Sequence, residues 1–129
     1  MLKTLNRILL IEDEPDIQEI TKSALELVGG FTVETSNNGF DGIVKAQKFM
    51  PDLILLDMMM PGMNGITTFE EIQKIESIRH IPVIFMTAKV QPHELVTYIS
   101  LGAIDVISKP FDPMQLSNQV SQIWEKYNG

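Results

Sequence analysis

Apolar positions along this chain follow two alternating rhythms. The first is a short uninterrupted run: Ile8-Leu9-Leu10-Ile11 after Arg7, Leu53-Ile54-Leu55-Leu56 before Asp57, and Val83-Ile84-Phe85-Met86 after Pro82. Runs without polar alternation mark strands buried on both faces, as inside a parallel sheet. Phe31–Thr35 and Val106-Ile107 are shorter segments of the same kind. The second rhythm is a spacing of three and four. Ile17, Ile20, Ala24, Leu25 and Val28 repeat this way after Pro15, and Gly29-Gly30 stops them. A helix from about Phe40 to Phe49 turns Ile43 and Ala46 inward, and one after Asn64-Gly65 buries Ile66, Phe69, Ile72 and Ile75. Pro92 opens a helix with Leu95 and Ile99 apolar, closed by Gly102; Pro113 opens the last, where Leu116, Val120, Ile123 and Trp124 share a face. Proline at a helix start and glycine just past its end fit the backbone at each position.

Five strands alternating with five helices predict an α/β fold with right-handed crossovers and helices on both faces. The expected arrangement is a flavodoxin-like (βα)5 doubly wound sandwich with strand order 2-1-3-4-5 and a switch point between strands 1 and 3. The length of 129 residues suits one domain over 1–129. No apolar run approaches a membrane span, and no basic-then-apolar leader opens the chain. Cysteine is absent, which excludes disulfides and thiolate metal sites and leads us to expect a cytoplasmic protein. A net charge of −7 argues against direct nucleic-acid binding.

The polar residues that end the strands carry the chemistry. Ligands of open parallel sheets bind beyond the carboxyl ends of the strands. There the chain offers Glu12 and Asp13, then Asp57, Thr87 and Lys109. Singly, each has a plain structural explanation: an acidic helix start, a turn, a cap, a solvated lysine. Together, with strands 1 and 3 adjacent, they put three carboxylates in one cleft, where repulsion calls for a cation. Oxygen ligands with room for water suit Mg²⁺. Mg²⁺ draws phosphate oxygens, Lys109 and Thr87 are placed to hold others, and Asp57 can act as a nucleophile.

These residues resemble the receiver domain of two-component response regulators over nearly the whole chain. The likeness rests on Ile11-Glu12-Asp13-Glu14, Leu55-Leu56-Asp57-Met58-Met59-Met60-Pro61-Gly62-Met63-Asn64-Gly65, Met86-Thr87-Ala88, Gly102-Ala103 and Lys109-Pro110-Phe111. The resemblance implies that Asp57 accepts a phosphoryl group. It implies that Glu12, Asp13, Asp57 and the Met59 backbone carbonyl bind Mg²⁺, that Thr87 and Lys109 engage the phosphoryl group, and that Lys109-Pro110 is cis. It implies a phosphohistidine donor, either a histidine kinase or a histidine phosphotransfer protein, and a downstream protein target. The donor's helix is expected against Ile17, Ile20 and Pro110, with one of the two isoleucines exposed as an anchor. We expect a monomer or weak dimer, a phosphoacceptor and not an enzyme, and, because the chain ends after the last helix, a stand-alone receiver.

Two departures from that family stand out. Val106 occupies the position, three residues before the lysine, where Tyr or Phe is usual, so a small readout is expected. The turn after Asp57 is rich in methionine, suited either to core filling or to an adaptable surface. Met59 and Lys89 flank the approach of water and are expected to give a long-lived aspartyl phosphate. Two other classes stay open. A phosphatase using Asp57 wants a general acid two residues on, where Met59 stands. A nucleotide binder wants free backbone N–H groups after the first strand, where the acids would repel phosphate.

Overall fold

The computed structural model describes residues 3–88 and 91–128. The strands are β1 (Arg7–Ile11), β2 (Thr32–Ser36), β3 (Leu53–Asp57), β4 (Val83–Thr87) and β5 (Asp105–Ser108). The helices are α1 (Pro15–Ser23), α2 (Gly39–Phe49), α3 (Gly65–Gln73), α4 (Pro92–Leu101) and α5 (Pro113–Asn128). All neighbouring strands are parallel, in the order β2-β1-β3-β4-β5. The expected topology is the observed one.

Each strand alternates between two cores. Leu9, Ile11, Ile54, Leu56, Val83 and Phe85 face α2, α3 and α4 through Ala46, Phe69, Ile72 and Tyr98. Ile8, Leu10, Leu53, Leu55, Ile84, Met86 and Ile107 face the opposite layer, through Ala24, Leu25, Leu116, Val120 and Trp124. Both layers cover the sheet, so β3 and β4 are buried at every position.

Several expectations shift. The run from Ile17 to Val28 is not one α-helix: after Ser23 the chain passes into a π-helical turn over Ala24–Val28. Of its five apolar positions only Ala24 and Leu25 are buried, while Ile20 and Val28 are about half exposed. Period alone cannot register the extra residue of a π turn. Ile75 lies beyond the end of α3, and Ile78, in the turns that follow, joins the core instead. Leu95 and Ile99 are exposed, and Tyr98 is the buried residue of α4. His93, expected on a loop, lies in α4; it and His80 are exposed. Among the described residues no helix is long and apolar enough to cross a membrane.

Candidate functional site

β1 pairs directly with β3, with Ile11 opposite Leu56. The residues that follow, Glu12 and Asp57, therefore leave the sheet side by side. Strand alternation adds a finer sorting. Glu12, Asp57 and Lys109 continue the parity of Leu10, Leu55 and Ile107, on the α1 and α5 side. Thr87 continues that of Phe85, on the α2 to α4 side.

The structure brings the predicted carboxylates together. One oxygen from each of Glu12, Asp13 and Asp57 lies within 4.8 Å of the others. Glu12 and Asp57 are almost fully buried. Lys109 reaches in from the end of β5, its Nζ 2.8 Å from Glu12 Oε1 and 3.0 Å from Asp57 Oδ1. With every group ionised, the cluster has two negative charges in excess. Asp13 Oδ1 is buried without a hydrogen-bond partner, and Glu12 Oε1 meets Lys109 only as an ion pair without hydrogen-bond geometry.

Electrostatics follow from that crowding. Burial pushes the Glu12 carboxyl up to about 7; Lys109 and the Glu14 N–H oppose the shift, and Asp57 adds to it. Burial works to lower the Lys109 ammonium pKa, but Glu12 and Asp57 outweigh it, and the net shift is upward. Two acids with unspent acceptor capacity beside a third, sharing one ammonium, form a set of hard oxygen donors that fits a divalent cation.

Local structure holds these groups in place. Glu14 N–H donates to Glu12 Oε2 (3.2 Å), and Met59 N–H donates to Asp57 Oδ1 (3.3 Å). Gly65 N–H donates to the Met58 carbonyl (3.1 Å), tying α3 back to the turn after Asp57. A Cβ on Gly65 would stand 2.6 Å from the Asp57 carbonyl oxygen, so only glycine fits that approach. Asn64 caps α3 by accepting from Thr67 N–H at 2.9 Å. Thr87 is buried at the end of β4, and its carbonyl accepts from Lys109 N–H at 2.9 Å. Lys109-Pro110 is cis, as expected. Lys89 lies outside the described residues.

The methionines divide. Met58 and Met60 fill the core, whereas Met59 is 66% exposed beside the site. Ile20 is half exposed and Ile17 partly so. Both line an apolar groove of about 410 Å³ with Ala88, Lys109, Pro110 and Phe111. Gln18 was not anticipated. Its side-chain N–H₂ donates to the Glu12 carbonyl and to Asn37 Oδ1, both at 2.9 Å, and so pins the acidic loop against the turn after β2. Nothing in its local pattern separates it from a solvated glutamine.

Comparison with known proteins agrees with this geometry. The family model described as response regulator receiver domain matches residues 8–121. The transcriptional regulatory protein CpxR homolog of Haemophilus influenzae is 37% identical over 92% of this chain and 50% of its own length. The probable C4-dicarboxylate response regulator DctR of Bacillus subtilis is 37% identical over 94% of this chain and 51% of its own. The chain thus spans about half the length of these curated relatives. Chemotaxis protein CheY4 of Vibrio cholerae superposes with a TM-score of 0.84 at 25% identity, covering 93% of this chain and 99% of that one. With its fold, its acidic pocket and its sequence in agreement, this chain belongs to the response regulator receiver domains, modules of phosphorylation-dependent signalling.

Proposed function

We propose that Asp57 is the phosphoacceptor and that Glu12, Asp13, Asp57 and the Met59 carbonyl hold a Mg²⁺ ion. The observation that supports this most is the meeting of three carboxylates with the Lys109 ammonium at the end of β3. An Asp57 carboxylate oxygen attacks the phosphorus of a phosphohistidine; the P–N bond breaks, its electron pair leaves with the imidazole, and an aspartyl phosphate forms. Mg²⁺ offsets charge on the phosphoryl oxygens during transfer. Lys109 and the Met59 N–H orient Asp57 through Oδ1. Thr87 approaches from the opposite face of the sheet to hold a phosphoryl oxygen. The protein is an acceptor that takes one phosphoryl group per donor, not a turnover enzyme: Met59 supplies no general acid at the position a phosphatase would use.

The donor is a histidine kinase or a histidine phosphotransfer protein, docking in the groove of Ile17, Ile20 and Pro110 beside Lys109. Intact mass after incubation with acetyl phosphate and Mg²⁺ tests the site. Wild type gains one phosphate and Asp57→Asn gains none, because an amide is a poor nucleophile. Equal gain in both would overturn the assignment. Ile20→Glu tests the groove: it should take phosphate from acetyl phosphate normally yet lose at least about tenfold in transfer from a phosphohistidine donor. Undiminished transfer would move docking elsewhere.

A further inference from the structure

Val106 lies directly across from Phe85 in the β4–β5 pair. Its small side chain is partly buried against the core that Phe85 occupies. An aromatic ring reaches Phe85 from another direction. Tyr98, on α4, sets its ring edge-on to Phe85, with centroids 5.6 Å apart and planes at 85°. Phe85 meets Phe69 of α3 in the same way, at 5.4 Å and 88°. Three rings thus join α3, β4 and α4.

Tyr98 is also what holds α4 to the domain. It is the buried residue of that helix, 8% exposed, while Leu95, Val96, Ile99 and Leu101 all face solvent. A helix fastened by one buried ring is among the elements that detach at least cost. Thr87 stands two residues beyond Phe85 on the same strand, so the two point to the same face of the sheet. Beside the Tyr98 ring a groove of about 540 Å³ opens, lined by Met58, Met59, Met60, Ile66 and Glu94. The ring therefore has a second place to go.

We propose that Tyr98 couples the phosphoryl site to α4, in place of the residue at position 106. Before phosphorylation the ring rests on Phe85. When Thr87 closes on the phosphoryl group, the packing around Phe85 changes, the ring turns into the methionine-lined groove, and α4 shifts. Tyr98 acts through Phe85 and Thr87 and is a positioning residue. Because coupling is reciprocal, a change at Tyr98 also alters the ease of phosphorylation. This inference rests on Asp57 as the acceptor, and the experiment separates the two.

The chain has two tyrosines, Tyr98 and Tyr127. With 3-fluorotyrosine at both, ¹⁹F NMR is recorded before and after acetyl phosphate and Mg²⁺, with intact mass followed in parallel. The Tyr98 resonance, assigned with Tyr127→Phe, should move while that of Tyr127 stays. Tyr98→Leu should gain phosphate while its α4 backbone amide shifts shrink roughly fivefold, and Tyr98→Phe should keep them within about twofold. A stationary Tyr98 resonance in protein shown by mass to be phosphorylated would overturn the proposal, as would a full α4 response in Tyr98→Leu. Protein that gains no mass defeats the Asp57 assignment itself, and this inference falls with it.

Discussion

β3 has an aspartate at each end, and the two have opposite fates. Asp52 precedes the strand at the amino edge of the sheet; Asp57 ends it at the carboxyl edge. Asp52 is fully supplied with donors. Its Oδ2 accepts from Asn6 N–H (3.0 Å) and Arg7 N–H (2.9 Å), and Lys3 Nζ lies 3.0 Å from Oδ1. Burial works to raise its pKa, but the Arg7 N–H, Lys3 and the Asn6 N–H outweigh that, and the carboxyl sits below its usual range. Arg7 stacks over the Phe49 ring at 4.2 Å, and Trp124 Nε1 donates to the Lys3 carbonyl at 3.0 Å. This edge ties the first residues to β3 and α5.

The carboxyl edge does the reverse. It collects acids faster than donors and leaves buried acceptors unused. Such an edge costs stability until a cation arrives, and that cost is what makes it responsive. The same sheet thus keeps a closed electrostatic account at one edge and an open one at the other.

The widest separation between the two edges should come with Mg²⁺. Millimolar Mg²⁺ should raise the melting temperature of wild type by several degrees. Asp13→Ala should lose most of that rise and, in metal-free buffer, match or exceed wild type, because one member of a repelling set is gone. Asp52→Asn should keep the whole response. An undiminished Mg²⁺ shift in Asp13→Ala, measured by calorimetry, would dissolve the contrast.

A smaller effect is expected at the amino edge. Asp52→Asn should cost about 1–2 kcal/mol at pH 7, from weakened hydrogen bonds to a charged acceptor and a lost ion pair. The sign in pH follows from a lowered native pKa. The stabilisation is complete above the unfolded-state pKa of Asp and disappears as pH falls through the native value. Urea unfolding of variant and wild type should therefore converge in acid. A gap that persists there would mean packing, not charge.

The smallest effect is the opposite slope at Glu12. Its native pKa is raised, from 4.5 to about 7. The folded state then binds more protons than the unfolded state between those values, so metal-free stability falls as pH rises through that window. Glu12→Gln should flatten the fall by something on the order of 1 kcal/mol. Parallel stability profiles for wild type and Glu12→Gln between pH 4.5 and 7 would show that burial does not govern this carboxyl.

Five strands, five helices and the acids at the strand ends were legible in the chain because each depends on local order. A run such as Leu53 to Leu56 has to be covered on both faces whatever surrounds it, and Asp57 has to follow it. Pro15, Pro92 and Pro113 open helices because their fixed φ suits a first turn. Other features had no local signal. That Ile20 faces a groove and Ala24 the core was settled by a π turn. That Tyr98, not Leu95 or Ile99, anchors α4 was settled by Phe85 on β4. Gln18 and Asp52 are polar residues like many others until their partners, distant in sequence, come within hydrogen-bond reach. The sequence by itself determined which residues leave the sheet at its carboxyl edge, since side-chain alternation and turn chemistry are properties of neighbours along the chain. Only the tertiary structure, by pairing β1 with β3 and bringing Lys109 across from β5, decided that Glu12, Asp13 and Asp57 share one cleft, because adjacency between strands is set by packing across the whole domain.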